Sequence, residues 1–478
     1  MNKQEYYKLD ACAMRDLIAA GEIKSREVLE QALALLDAAQ PQLNAMAFDW
    51  REEALELASK SPAGVFAGVP FLLKDLGADW FGHAETCGTR VLRHNVASFT
   101  KTFVQRYIDA GLIIFGRTTA PEYGLSCQTE NRLHGVTRNP WNLAKNPGGS
   151  SGGAAALVAA GVLPAAHASD GGGSIRIPAS LCGVIGLKPT RGRVPSGPMV
   201  GEGWAGLSTS HVVCRSMRDC AAFLDIAKGI EPVAPYYPYH GDTSYGDILK
   251  DKGKNSYRIA VAPDYAKAIR PTDAGIKNAI ISLATMLEQQ GHAVKAQAPG
   301  YSLEECKHVL WEIAGINSSL TYKMHREQQN STSAVVDDIE PATRAFIEQF
   351  QNYHAHDYIR CLWRRDQLTK EYNQLFEEFD LLLSPVMPMT AQDAGLIRFQ
   401  GDWEEYAQDM FSYMPYTPIA NISGTPAISL PLGLDDQGLP IGVMLSAAYG
   451  REDILLQISR DIEQEMGGFN HTAPLLQS

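Results

Sequence analysis

Hydrophobic and polar positions follow two periods along this chain, and the changes of period mark its elements. After Ser25, the segment REVLEQALALLDAAQ places apolar residues at 28, 29, 32, 33, 35 and 36, which is one face of a helix. Ser25 reads as its N-cap and Pro41 as its stop. A second helix is expected near Glu52 to Lys60. Val69 to Leu73 is then a continuous apolar run with Lys74 and Asp75 at its end. Such a run reads as a buried strand.

Further strands are expected in LIIFGRTTA (112–120), VLPAAHAS ending at Asp170, CGVIGLKP (182–189), YRIAVAPD (257–264) and HAVKA (292–296). FDLLLSPVMP (379–388), NISGTPAISLPLG (421–433) and PIGVMLSA (440–447) read the same way. Helical spacing covers Thr102 to Ala110, Ala154 to Ala160, Met217 to Lys228, 273–290, most of 303–380 and 452–466. Residues 80–100 and 121–147 read as loops. Residues 230–256, rich in Pro, Tyr, Gly and Asp, read as a linker or surface excursion. Strands alternating with helices predict one large layered α/β domain.

Composition narrows the function classes. The chain has 478 residues, 45% hydrophobic and 20% charged, as in a globular protein. Its formal net charge of −12 argues against nucleic acid or an anionic membrane as the partner. The eight cysteines contain no CxxC pair, and reduced thiols in a cytoplasmic enzyme are expected. The start, MNKQEYYKLDA, lacks the apolar core of a signal peptide. The run from Ala154 to Ala168 is too short and too interrupted to span a membrane.

The candidate chemistry lies in two glycine-rich turns, PGGSSGG (147–153) and DGGGSIRIP (170–178), each carrying a serine. A nucleophilic serine needs an activating base and N–H donors for the oxyanion. Ser174 follows three glycines, whose amides can face a substrate without side chains in the way. A glycine turn with no chemistry is the plainer reading of either segment alone. Ser150 and Ser151 supply a second hydroxyl that could relay a proton. No histidine sits in a convincing motif: His167 falls inside a buried strand, and His354 with His356 is too weak a pair for a metal site. A buried lysine loses its charge readily and can act as a base, and Lys74 at the end of its apolar strand fits. A strand-end lysine paired with a carboxylate is the alternative. Gly148 to Gly152 matches G-x-S-x-G, but a polar loop precedes it where a nucleophile elbow needs a strand. Ser98 to Lys101 matches S-x-x-K without a K-T-G partner. The P-loop pattern is absent.

Lys74, PGGSSGG and DGGGSIRIPA together resemble the amidase signature family. GVPFLLKD, TRNPWN, LCGVIGLKPTRGRV, FDLLLSPVMP and NISGTPAISLPLG extend the resemblance from about residue 20 to 465, most weakly between 230 and 375. Within the family, AHASDGGGSIRIPASLCGVIGLKPTRGRV is most similar to stand-alone amidases such as the 6-aminohexanoate cyclic-dimer hydrolases. The resemblance implies an amidase-signature domain over 1–478, a mixed twisted sheet covered by helices on both faces. It implies a core at about 60–230 and 375–465, and a variable helical pocket region at about 230–375. It implies a catalytic set of Lys74 as base, Ser150 as relay with a cis peptide before it, and Ser174 as nucleophile. The N–H groups of Gly171, Gly172, Gly173 and Ser174 sit where the family forms its oxyanion hole, with the choice among them left open, and Ser151, Asp170 and Arg176 would support them. The substrate is then a small-molecule amide, with no cofactor, no metal and a possible homodimer. Residues 121–135, with Cys127, and the helices after 303 are expected around the pocket. The glutaminase component of an amidotransferase, which delivers ammonia within a complex, is the alternative, but GWAGLSTSHVVCRSMRD replaces the D-Q-I-G-like segment common in that group.

Overall fold

The computed structural model describes residues 2–60, 62–236, 238, 243–251, 256–328, 338–469 and 472–476. Parts of the expected linker (237, 239–242 and 252–255) and of the expected helical stretch (329–337) lie outside the described residues. Eight strands form one mixed sheet in the spatial order Ala293–Ala296, Arg258–Val261, Leu381–Pro385, Pro440–Ala447, Ala427–Leu434, Ile185–Lys188, Thr209–Cys214 and Ala165–Asp170. The first three are parallel and every later neighbour is antiparallel.

Both faces of this sheet are covered, and alternate residues of one strand enter different cores. Leu381 and Leu383 belong to the core that also holds Ile280, Phe223 and Leu455, from the helices Ala274–Gln289, Met217–Ala227 and Glu452–Glu465. Leu382 between them belongs to the core that holds Leu310, Leu368 and Ile419, from the helices Leu303–Gln328, Ala355–Asn373 and Pro418–Ser423. Val443 and Leu445 against Met444 repeat the division. A strand buried on both sides has no polar alternation left, so its sequence reads as an unbroken apolar run.

A second sheet holds three strands in the order Met46–Asp49, Ile113–Thr118 and Pro70–Lys74. Pro70–Lys74 pairs parallel with Ile113–Thr118 and lies along the edge strand Ala165–Asp170 of the large sheet. No backbone ladder joins those two edges. The Lys74 N–H instead donates to His167 Nδ1 at 3.2 Å.

Several boundaries depart from the sequence pattern. Ser25 is the first residue of its helix, Ser25–Leu43, and its hydroxyl donates to the Gly68 carbonyl at 3.1 Å. Glu27 caps the end by accepting from the Lys24 N–H at 2.8 Å. Pro41 lies inside the final turn, where it removes only one intrahelical bond, and Asn44 closes the helix with φ of 49°. The strand expected from Cys182 starts at Ile185, because Arg176–Cys182 is a helix that ends at Gly183 with φ of 72°. Asn421 to Ser423 belong to the helix Pro418–Ser423, not to the strand that follows. The helices Lys3–Lys8, Ala11–Ala19 and Trp403–Tyr413 had no counterpart among the expected elements.

Candidate active site

Lys74, Ser150 and Ser174 arrive from three elements. Lys74 ends its strand with no exposed surface. Its backbone is held by side chains on both sides: its N–H by His167 and its carbonyl by Arg117 Nη1 at 3.0 Å. Lys74 Nζ lies 2.7 Å from Ser150 Oγ and 3.1 Å from Ser169 Oγ. Burial pushes the Lys74 ammonium down to about 7, although the Asp170 carboxylate works the other way. A neutral amine donates to one hydroxyl and accepts from another, so both contacts suit the uncharged form.

His167 is a packed core residue, as its strand position suggested. Its Nδ1 accepts the Lys74 N–H, which puts its proton on Nε2. Burial first, then the neighbouring Lys74 and Arg117, hold its pKa well below the usual imidazole value. It is a neutral strut beside the lysine.

Ser150 follows the cis Gly149–Ser150 peptide. Ser151 ties the two turns together. Its N–H donates to the Ser174 carbonyl at 3.2 Å, and its hydroxyl donates to the Ser169 carbonyl at 3.2 Å. Ser174 is partly exposed and lines the same cavity as Ser150. Among the described residues, no hydrogen bond is made by the Ser174 hydroxyl.

The second turn is fastened from beneath by a buried ion pair. Asp170 and Arg176 are both fully buried, with Arg176 Nε 3.0 Å from Asp170 Oδ2 and Nη2 3.0 Å from Oδ1. Burial alone would raise the Asp170 pKa, but the guanidinium and its hydrogen bonds hold it well below the ordinary carboxylate range. Asp170 Oδ1 also accepts the Gly173 N–H at 2.7 Å. Of the four N–H groups left open for the oxyanion, Gly173 thus donates inward to the carboxylate, and the Gly171, Gly172 and Ser174 N–H groups have no described partner. Gly173 has φ of 140° and packs against Thr417, so a side chain has no room there.

Sequence reasoning missed four groups here. Ser169 is the second partner of Lys74. Thr417 Oγ1 donates to the Gly172 carbonyl at 2.7 Å, and Asn421 Nδ2 donates to Asp170 Oδ1 at 2.8 Å. Trp204 covers the glycines: a Cβ built on Gly171 would lie 2.9 Å from its ring. Trp204 and Ala205 take φ of 50° and 49°, the left-handed region that bulky side chains avoid. The signal for Ser169 was available two residues after His167 in the same strand. No local signal marks Thr417 or Asn421, which are the N-cap and a residue of the helix Pro418–Ser423, far along the chain.

The amidase family model matches residues 27–456. The 6-aminohexanoate-cyclic-dimer hydrolase of Paenarthrobacter ureafaciens is 32% identical over 97% of this chain and 96% of its own. A solved structure of 6-aminohexanoate cyclic dimer hydrolase superposes with a TM-score of 0.93 at 32% identity, covering 98% of this chain and 99% of its own. The chain belongs to the amidase family. A glutamyl-tRNA(Gln) amidotransferase subunit from Lachnospira eligens is also similar, at 31% identity over 95% of this chain and 97% of its own, and is a more distant relative.

This amidase is an amide hydrolase by family. Two of its cavities are lined by Ser174, and a third shares lining residues with one of them. One of about 200 Å³ contains Ser150, Ser169 and Ser174. One of about 30 Å³ contains Ser174, Cys127, Ile177 and Met414, and a third of about 380 Å³ lies beyond it. Cys127 is where the sequence placed it, in the inner apolar pocket, and burial pushes its thiol up to about 12. It acts there as a small protonated hydrophobe. Leu310 and Trp311 come from the long helix after 303, as expected, while Met410 and Met414 come from a segment with no such expectation. Among the described residues there is no cluster able to hold a metal ion, and no helix is long and apolar enough to cross a membrane.

Proposed function

We propose that this amidase cleaves its substrate through an acyl-enzyme on Ser174, with Ser150 as proton relay and Lys74 as base. The observation that carries this is the 2.7 Å contact between the fully buried Lys74 Nζ and Ser150 Oγ. Neutral Lys74 takes the Ser150 proton as Ser150 takes that of Ser174, and Ser174 Oγ bonds to the carbonyl carbon. The carbonyl oxygen becomes an oxyanion, for which the Gly171, Gly172 and Ser174 N–H groups are the donors still free. The proton returns through Ser150 to the departing nitrogen as the C–N bond breaks. Water, activated by the same pair, then hydrolyses the ester. Oxyanion stabilisation of this kind is typically worth about 10²–10³ in rate per donor.

Asp170 and Arg176 act as positioning residues, since they fix the turn and touch no reacting atom. The relatives' substrates make linear and cyclic carboxylic amides the class to test first. A fluorophosphonate should label Ser174 stoichiometrically in the wild type, and Ser174→Ala should lose both the label and amide turnover. Full turnover by Ser174→Ala, or a label elsewhere, sinks the assignment.

A further inference from the structure

Trp204, Ala205 and Gly206 take φ of 50°, 49° and 80° in succession. L-residues visit this left-handed region singly, and a run of them persists only where the surroundings over-determine it. Here three consecutive carbonyls are each taken by a side chain from a different part of the chain. The Ala205 carbonyl accepts from Arg365 Nη1 at 3.1 Å. The Gly206 carbonyl accepts from Arg191 Nε at 2.7 Å, and the Leu207 carbonyl from Asn421 Nδ2 at 3.0 Å.

The three donors share one anchor, the helix Pro418–Ser423. Arg191 Nη2 donates to the Asn421 and Ile422 carbonyls at 3.0 and 2.7 Å, and the Arg191 N–H to the Gly424 carbonyl at 2.9 Å. Thr369, one turn after Arg365 in the helix Ala355–Asn373, donates to the same Ile422 carbonyl at 3.3 Å. Asn421 also holds Asp170, so the hold on Trp204 and the fastening of the turn 170–174 meet at one residue. Arg365 has little else to do. Its side chain is 13% exposed, and its ion-pair partner Asp366 is 62% exposed, a pairing that stabilises weakly.

What this latch presents is the Trp204 ring. It bears on Gly171, which carries one of the N–H groups free for the oxyanion, and Trp204 lines both cavities that Ser174 lines. We propose that Arg365 and Arg191 are positioning residues that act through Trp204: by taking the Ala205 and Gly206 carbonyls they hold the indole against Gly171 and so fix that oxyanion donor. The turn 170–174 is then clamped between Asp170 with Arg176 on one side and Trp204 on the other. This rests on the role proposed above for Ser174.

The rate at which a fluorophosphonate labels Ser174 tests the latch, because attack on phosphorus uses the same oxyanion donors; its dependence on reagent concentration separates the maximal rate from the binding constant. Arg365→Met should lower the maximal rate about tenfold and leave the binding constant within about twofold. The loss is smaller than the 10²–10³ of a deleted donor, since the N–H is displaced and not removed. Arg365→Lys keeps one N–H for the Ala205 carbonyl and should recover to within about threefold of wild type. Asp366→Asn should label as wild type does. Gly206→Ala reaches the same turn from another side, because its Cβ would lie 2.8 Å from Arg191 Nε, and it should match Arg365→Met. Trp204→Ala should be slow as well. In the Trp204→Ala background, Arg365→Met should add less than about twofold, since nothing is left for it to position.

A further tenfold loss in that background would show that Arg365 acts independently of Trp204 and would overturn the proposal. Wild-type rates in Arg365→Met and Gly206→Ala, or an equal loss in Asp366→Asn, would overturn it too. Wild-type enzyme that turns over amides without a label on Ser174 would overturn the Ser174 mechanism itself, and the latch with it.

Discussion

Lys74 combines two demands that oppose each other. As a base it must be neutral, and burial lowers its pKa from 10.5 to about 7. The kcat/KM profile should therefore rise with pH through about 7 as one proton leaves, and flatten above it. Lys188 is also buried and also lowered to about 7, but its Nζ donates to the Pro189 carbonyl. Lys188→Met should leave the activity inflection in place, which separates the two lysines. The same burial costs stability. Between pH 7 and about 10 the unfolded lysine holds a proton that the native one has released, so this contribution to stability increases as pH rises through that window. Lys74→Met should be inactive yet more stable than wild type at neutral pH, by about 1–3 kcal/mol, with the advantage shrinking toward pH 10. Thermal unfolding of the two proteins across that range checks it. A variant less stable at neutral pH would mean that the Ser150 and Ser169 contacts outweigh desolvation. Lys74 stood out in the sequence at the end of an apolar run, but the run alone favoured a lysine paired with a carboxylate, and the resemblance to the amidase family is what made it the expected base.

Among the elements, the turn 170–174 is set by its fastenings. Asp170 receives the N–H groups of Gly173 and Ile175, the Arg176 guanidinium and the Asn421 amide. The Arg176 guanidinium in turn bonds the Thr417 carbonyl and Asn421 Oδ1. Arg176→Met strands the Asp170 charge in the interior, and a loss of about 3–5 kcal/mol is expected. The double variant Arg176→Met/Asp170→Leu should regain much of that stability in denaturant titrations, while its kcat stays low because nothing holds the glycines. Recovery of both together would show that the pair does no positioning. The two serine turns were readable because glycine clusters are local signals. The helix Arg176–Cys182 was not, because Pro178 looks like a break; it occupies the first turn, where a missing N–H costs nothing. Thr417 and Asn421 were unreadable because they act through the fold, from a helix whose first residues resemble a loop. Trp204 was hidden for another reason: its left-handed backbone is one that its residue type does not advertise.

At the scale of the molecule, most strands and covering helices were legible from period, since both faces of the large sheet are buried, but the strands Met46–Asp49 and Thr209–Cys214 were not among the expected elements. Nor was the existence of two sheets legible. Pro70–Lys74 and Ala165–Asp170 have the same apolar character, and nothing in either sequence says that they meet edge to edge without a ladder. That meeting is closed by the His167 ring, by Lys74 Nζ among hydroxyls, and by packing. Base and nucleophile thus arise from separately hydrogen-bonded sheets, joined at their edges by specific side-chain bonds and by one apolar core that runs through both. Regions with few such bonds open at lower free energy than the sheets themselves. In rising urea, amide turnover should therefore fail before the far-ultraviolet dichroism of the sheets and helices changes, and return at once on dilution. Coincident loss of the two signals would mean that both sheets unfold as one unit. Turnover in this enzyme then works as a gauge of a joint: it reads whether the edges of two sheets are in register before either sheet is lost.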